Sequence, residues 1–253
     1  MALPMLADFA IRMAGGLAGW LLATPWRVVP PAFFRTHCQV MLGLLALAAM
    51  VLGRGLPAYV LPATIAAAVL AFLASVAWGL GLPRLGIPLT AAIALIAAAL
   101  LVWASSGPSA EVWALGAAGR LASAALLGAT STAMLLGHHY LTAPAMSIDP
   151  LRRFVRGIAV ALAVRAALAA WGLDLAFLRL ALPIGTEAHA GLFLAIRWGM
   201  GLLGPAIATV LAWKTVAIRS TQSATGILYA ELALVLFGEL CSMILSGSPG
   251  AIY

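Results

Sequence analysis

From residue 34 onward the chain is a succession of apolar stretches, each near the roughly 20 residues an α-helix needs to cross the hydrocarbon core of a bilayer. Pro, Gly and charged residues punctuate them, giving stretches at 34–53, 59–81, 88–105, 113–137, 154–182, 191–214 and 224–246. In lipid each backbone N–H and C=O must be satisfied within its own segment, so such stretches fold as helices. The expected fold class is all-α, a polytopic transmembrane helix bundle with seven spans over 34–246. A further stretch, 5–24, carries Asp8 and Arg12 near its start and a Gly15/Gly19 pair. It either makes an eighth crossing or lies in the interface as an amphipathic anchor.

Composition supports lipid as the solvent. The chain is 64% hydrophobic and 8% charged, against about 45–50% and about 25% in an average soluble domain. Only short connectors separate the apolar stretches, so residues 1–253 are expected to form one integral membrane domain. It comprises an N-terminal helix and loop (1–33), the seven-helix bundle (34–246) and a short tail (247–253). The net charge of +7 does not point to nucleic acid, because thirteen of the fourteen basic residues are arginines scattered singly along the chain. A nucleic-acid face would cluster them. The expected partners are the bilayer and other membrane subunits. Cys38 and Cys241 fall near opposite ends of the bundle and read as packing residues. Pro25-Trp26-Arg27 follows the first apolar run without a small-residue cleavage site, which argues against a cleaved signal peptide. No internal repeat is visible.

Basic loops are retained in the cytoplasm. Alternating crossings collect Arg27, Arg35, Arg84, Arg152, Arg153, Arg156, Lys214 and Arg219 on one side, and Arg54 with Glu111 and Glu187 on the other. The expected location is a bacterial-type inner membrane, with the arginine-bearing turns cytoplasmic and the C-terminus periplasmic.

An ionisable side chain in hydrocarbon costs about 2.5–3.5 kcal/mol on insertion scales, so each one inside a span is a candidate site residue. Here these are Arg120, Arg165, Asp174, Arg197, Glu231 and Glu239. Depth counted at about 1.5 Å per residue sets Arg197 and Glu239 level on consecutive antiparallel spans, which predicts an Arg197–Glu239 pair. Arg120 and Asp174 lie in the same half and are expected to join that cluster, with Arg165 and Glu231 near the midplane. The alternative is that these charges only neutralise one another and fix helix register. Arg179 lies near enough to the surface to snorkel.

The histidines form a second candidate group. His37 opens one span, and His138 and His139 close another, on the same side of the membrane. Two helices presenting an imidazole each at one depth is what bis-histidine ligation of a b-type haem requires. The ordinary reading is an interfacial hydrogen-bonded histidine. In the Gly-Thr-Glu-Ala-His connector, Glu187 and His189 could relay protons to or from a quinol, or form a plain polar loop. Arg120 and His138 are eighteen residues apart, about five turns, so one face of span 113–137 has a polar tip at each end. Its apolar middle suits packing or a ligand tail rather than a water-filled path. The polar run 219–226 precedes the span holding Glu231. Ser223 or Thr225 could cap that helix and leave its amides for an anionic headgroup or a quinone carbonyl.

Gly199-Met-Gly201-Leu-Leu-Gly204 has the form of a dinucleotide fingerprint, but it sits inside an apolar helix and means close helix packing. No soluble-enzyme signature is present, so any catalysis would belong to a membrane oxidoreductase of which this chain is a subunit. The residue chemistry favours a membrane subunit of an electron-transfer complex that flanks or binds a quinone or b-type haem. The alternatives are a small-solute or ion transporter, for which Pro205 is the one plausible helix break, and a structural subunit without a site.

Overall fold

The computed structural model describes residues 3–52, 56–105, 109–143, 146–175 and 190–247. Among the described residues the chain is all-helical: α1 (Met5–Ala23), α2 (Pro31–Val51), α3 (Val60–Gly79), α4 (Pro83–Trp103), α5 (Ala110–Thr142), α6 (Asp149–Asp174), α7 (Ala190–Trp198), a π-helical turn (Gly199–Leu203), α8 (Gly204–Ala217) and α9 (Thr221–Gly247). α7, the π turn and α8 form one continuous rod, so among the described residues eight helices are long and apolar enough to span a membrane.

Three helices, α2, α4 and α6, begin earlier than hydrophobicity alone places them, because proline is tolerated in the first turn where its missing N–H costs nothing. Pro31 opens α2, Pro83 opens α4 and Pro150 sits in the first turn of α6. Ser109 caps α5 by accepting the Val112 N–H, and the helix then runs 33 residues to Thr142. At about 1.5 Å per residue that exceeds the hydrocarbon thickness, which places its polar end, with His138 and His139, beyond the apolar span.

Two rings of helices share one seam. α1 packs on α2 and α4, with α3 closing the ring between them; α5 packs on α6 and α9, with α8 closing the second. The neighbour order is the same in both rings, a regularity that the sequence does not display as a motif. The seam is the α1–α5 contact. A Cβ on Gly16 would overlap the Ala124 carbonyl, and one on Gly128 would overlap the Gly16 backbone. Only glycine lets two helix backbones approach this closely. Gly16 is thus the crossing point, whereas Gly19 has open space around its Cβ direction.

Because of this seam α1 is not an interfacial anchor. More than half of its apolar window is buried, as much as for α5, and Ile11, Ala14, Leu17 and Leu21 lie in the core. Cys38 and Cys241 are both free and buried.

Candidate functional site

One connected polar network crosses the seam. On α1, Asp8 and Arg12 are one turn apart on the same face, and the Arg12 Nη2 donates to Asp8 Oδ2 at 2.6 Å. The other Asp8 oxygen accepts from Arg120 Nη1 of α5 at 2.5 Å. Arg12 also donates to Ser123 Oγ at 3.3 Å, and Ser123 in turn donates to Glu239 Oε2 at 2.6 Å. Arg165 of α6 closes the chain, donating from Nε to Glu239 Oε1 at 2.7 Å and from Nη2 to Glu239 Oε2 at 2.9 Å and Ser242 Oγ at 3.0 Å. Asp8, Arg12, Arg165, Ser123 and Glu239 are all buried. Gly119 gives the Arg165 guanidinium its room on α5: a Cβ there would stand 3.8 Å from Nη1.

The expected Arg197–Glu239 pair is not what forms. Glu239 is paired with Arg165, while Arg197, also buried, keeps its Nη1 without a hydrogen-bond partner among the described residues. The reason is rotational. Gly238 lies on Gly201, so that face of α9 belongs to the π turn; Glu239, about 100° further round, faces α5 and α6 instead. Arg197 remains close enough to feel both the Glu239 carboxylate and the Arg165 guanidinium. Arg120 joins the cluster as expected, through Asp8. Asp174 ends α6 on the side of the membrane toward which Arg165 lies.

Glu231 stands apart from the network. It is fully buried, its Oε1 lies 2.5 Å from Thr209 Oγ1 on α8, and its Oε2 has no partner among the described residues. Two glycines of the 199–204 series pack helices, Gly201 against Gly238 and Gly204 against Leu234, while Gly199 has open space in its Cβ direction. The break lies in the π turn just before Pro205 rather than in a gap.

His37 and His139 surround Phe33, whose ring centroid lies 4.1 Å from the first imidazole and 6.2 Å from the second. A carbonyl can only accept, so His37 Nδ1–H donates to the Phe33 oxygen at 2.8 Å. Among the described residues the lone pair of its Nε2 is left without a partner, as is the Nε2 of His139. This is the tautomer of a metal-bound imidazole, yet the aromatic plane against both rings is a phenyl ring, which a porphyrin would have to displace. His138 is exposed. Glu187 and His189, like Arg54 and Arg179, lie outside the described residues. The polar run 219–226 does not form the cap expected of it: α9 already begins at Thr221, Ala224 N donates to Ser220 O, and Thr225 Oγ1 donates back to Thr221 O.

Next to the network a cleft of about 400 Å³ opens between α1, α4 and α5, lined by Gly15, Gly16, Gly19, Trp20, Ala94 and Leu121 among others. Asp8, Arg12, Gly15/Gly16 and Gly19 follow one another at helical spacing, so the charged face of α1 continues directly as the floor of the cleft. The Trp20 indole donates to Ala125 O at 2.7 Å and fixes one wall. Arg120, with one fifth of its side chain exposed, sits one turn from Ala124, another cleft residue.

Sequence reasoning missed Asp8, Arg12 and Ser123 as members of the network. The first two carried a usable signal, a carboxylate and a guanidinium at i, i+4 that can neutralise each other in lipid. Ser123 carried none beyond its place one turn from Arg120.

Comparison with known protein families, with curated proteins and with solved structures finds no match to this chain.

Proposed function

We propose that this protein is a membrane subunit of an electron-transfer complex and that it binds a quinone in the α1/α4/α5 cleft. A single observation carries this reading: a charged helix face runs without interruption into an apolar, glycine-floored groove on the surface of the helix bundle. A quinone needs both parts. Its isoprenoid tail suits the groove, where Gly19, with open space in its Cβ direction, leaves the floor flat. Arg120 can donate an N–H to a quinone carbonyl, and Asp8 can accept from the hydroxyl of the reduced form. Quinone fits this geometry better than haem, because Phe33 occupies the space against both imidazoles.

The surrounding assembly follows from the same reading. Other membrane subunits would cover exposed apolar residues such as Trp113, Trp171 and Trp213. We place the arginine-bearing turns in the cytoplasm of a bacterial-type cell and the C-terminus in the periplasm.

The test is retention of quinone by the protein purified into lipid nanodiscs, quantified by solvent extraction and chromatography. Wild type is expected to hold quinone well above discs of the same lipid carrying an unrelated membrane protein. Gly19→Leu, which fills the groove from a position where a Cβ meets nothing within 4 Å, should lose it while melting near the wild-type temperature. Retention no greater than in the control discs overturns the proposal.

A further inference from the structure

We propose that Glu231 is a proton-binding carboxyl in the middle of the membrane, with Thr209 as the hydroxyl that switches between its two protonation states. The inference rests on different residues from the quinone cleft and stands apart from it. Glu231 lies ten residues into α9, about 15 Å from its start and so near the centre of a hydrocarbon core about 30 Å thick. It is completely buried, with one oxygen on Thr209 and the other unpartnered among the described residues.

An ionised carboxylate in that position needs a compensating charge, and the elements packed on α9 supply none. On α9 itself Glu239 is already held by Arg165, and Tyr229 is exposed. On α8, Lys214 is exposed and lies five positions beyond Thr209, about 140° around the helix. On α7, Arg197 lies twelve positions before Thr209, about 18 Å along the rod. On α5, the side facing this depth offers the hydroxyls of Ser131 and Thr132, both buried and without partners among the described residues; the charged Arg120 and the imidazole of His139 lie toward its two ends. Neutralisation therefore falls to a proton.

Thr209 is arranged to serve both states. Its Oγ1 lies 2.8 Å from its own helix's Pro205 O and 2.5 Å from Glu231 Oε1, and a hydroxyl has one hydrogen to give. When Glu231 holds the proton, the acid O–H donates to Thr209 Oγ1, and Thr209 donates to Pro205 O. When the proton leaves, Thr209 rotates and donates to the carboxylate. Pro205 follows the π turn, an irregularity often found at functional positions in helices.

Infrared spectroscopy of the full chain reconstituted in lipid tests this. At neutral pH the protein is expected to show the carbonyl stretch of a protonated carboxylic acid, lowered in frequency in heavy water, absent in Glu231→Gln and fading as pH is raised. Thr209→Val, a near-isosteric change that keeps the fold, should raise the frequency of that band by removing the acid's one hydrogen-bond acceptor among the described residues. Absence of the band in wild type overturns the proposal. So does a band unaffected by both substitutions, or one that disappears when sodium replaces choline at constant pH, since a metal cation would then occupy the carboxylate.

Discussion

Arg165 grips Glu239 with two nitrogens, at 2.7 and 2.9 Å, although the two residues lie 74 positions apart. Both are almost completely buried, so each depends on the other for its charge to be tolerable. Removing one partner of a buried pair leaves an uncompensated ion and costs about 3–5 kcal/mol. Glu239→Ala should therefore lower the melting temperature and yield in detergent sharply. Arg197→Ala, which removes a guanidinium whose Nη1 has no partner among the described residues, should cost about 1 kcal/mol or less, at the mild end of single substitutions. Equal losses for the two variants would return Arg197 to the role of Glu239's partner.

Asp8 is shared between Arg12 and Arg120, one oxygen to each. Asp8→Asn leaves two guanidinium groups facing each other across the seam without their common anion. Replacing Arg120 by Gln in the same protein removes one of the repelling charges. The double variant is thus expected to be more stable than the sum of the single effects predicts, by a coupling of about 0.5–3 kcal/mol. Thermal melts of the four proteins in one detergent measure it, and strict additivity would show that Asp8 and Arg120 do not interact.

The spans were legible because lipid imposes a single rule on the backbone: apolar length reads directly as a helix, and proline and glycine read as its ends. Depth was legible too, since it follows from counting residues along a helix. Rotation about the helix axis was not. Gly201 on Gly238 and Thr209 on Glu231 put Arg197 within about one turn of the level of Glu239, yet Glu239 turns toward Arg165, and nothing in one sequence fixes which side of α9 meets which neighbour. The same limit hid Ser123, a small residue among small residues. Asp8 and Arg12 were visible but weighed against a crossing, because two charges near a helix start resemble an interfacial anchor. Their packing against α5, beside Arg120 and Ser123, makes them tolerable in lipid.

The seam supplies a prediction from neighbouring glycines on one helix. A methyl group on Gly16 meets the Ala124 backbone, whereas one on Gly19 meets nothing within 4 Å. Backbone atoms cannot rotate away as a side chain can, so Gly16→Ala must push α1 off α5. The expected loss is about 1–3 kcal/mol or more. Gly19→Ala should be neutral or stabilising by up to about 1 kcal/mol, the helix propensity gained. Loss of stability in both variants would mean that the crossing lies elsewhere on α1.

Phe33 separates packing from ligation at the other end of the bundle. It is buried, and its ring lies against His37 and His139. If the two imidazoles serve to pack it, Phe33→Ala opens a cavity and costs about 3–5 kcal/mol. His37→Leu, which keeps the volume and removes a buried Nε2 that has no partner among the described residues, costs less than about 1.5 kcal/mol. The purified protein should then show no reduced-minus-oxidised band of a b-type haem. A band that disappears in His37→Leu would give the Nε2 lone pair an iron to bind, and would require Phe33 to move aside when the cofactor enters.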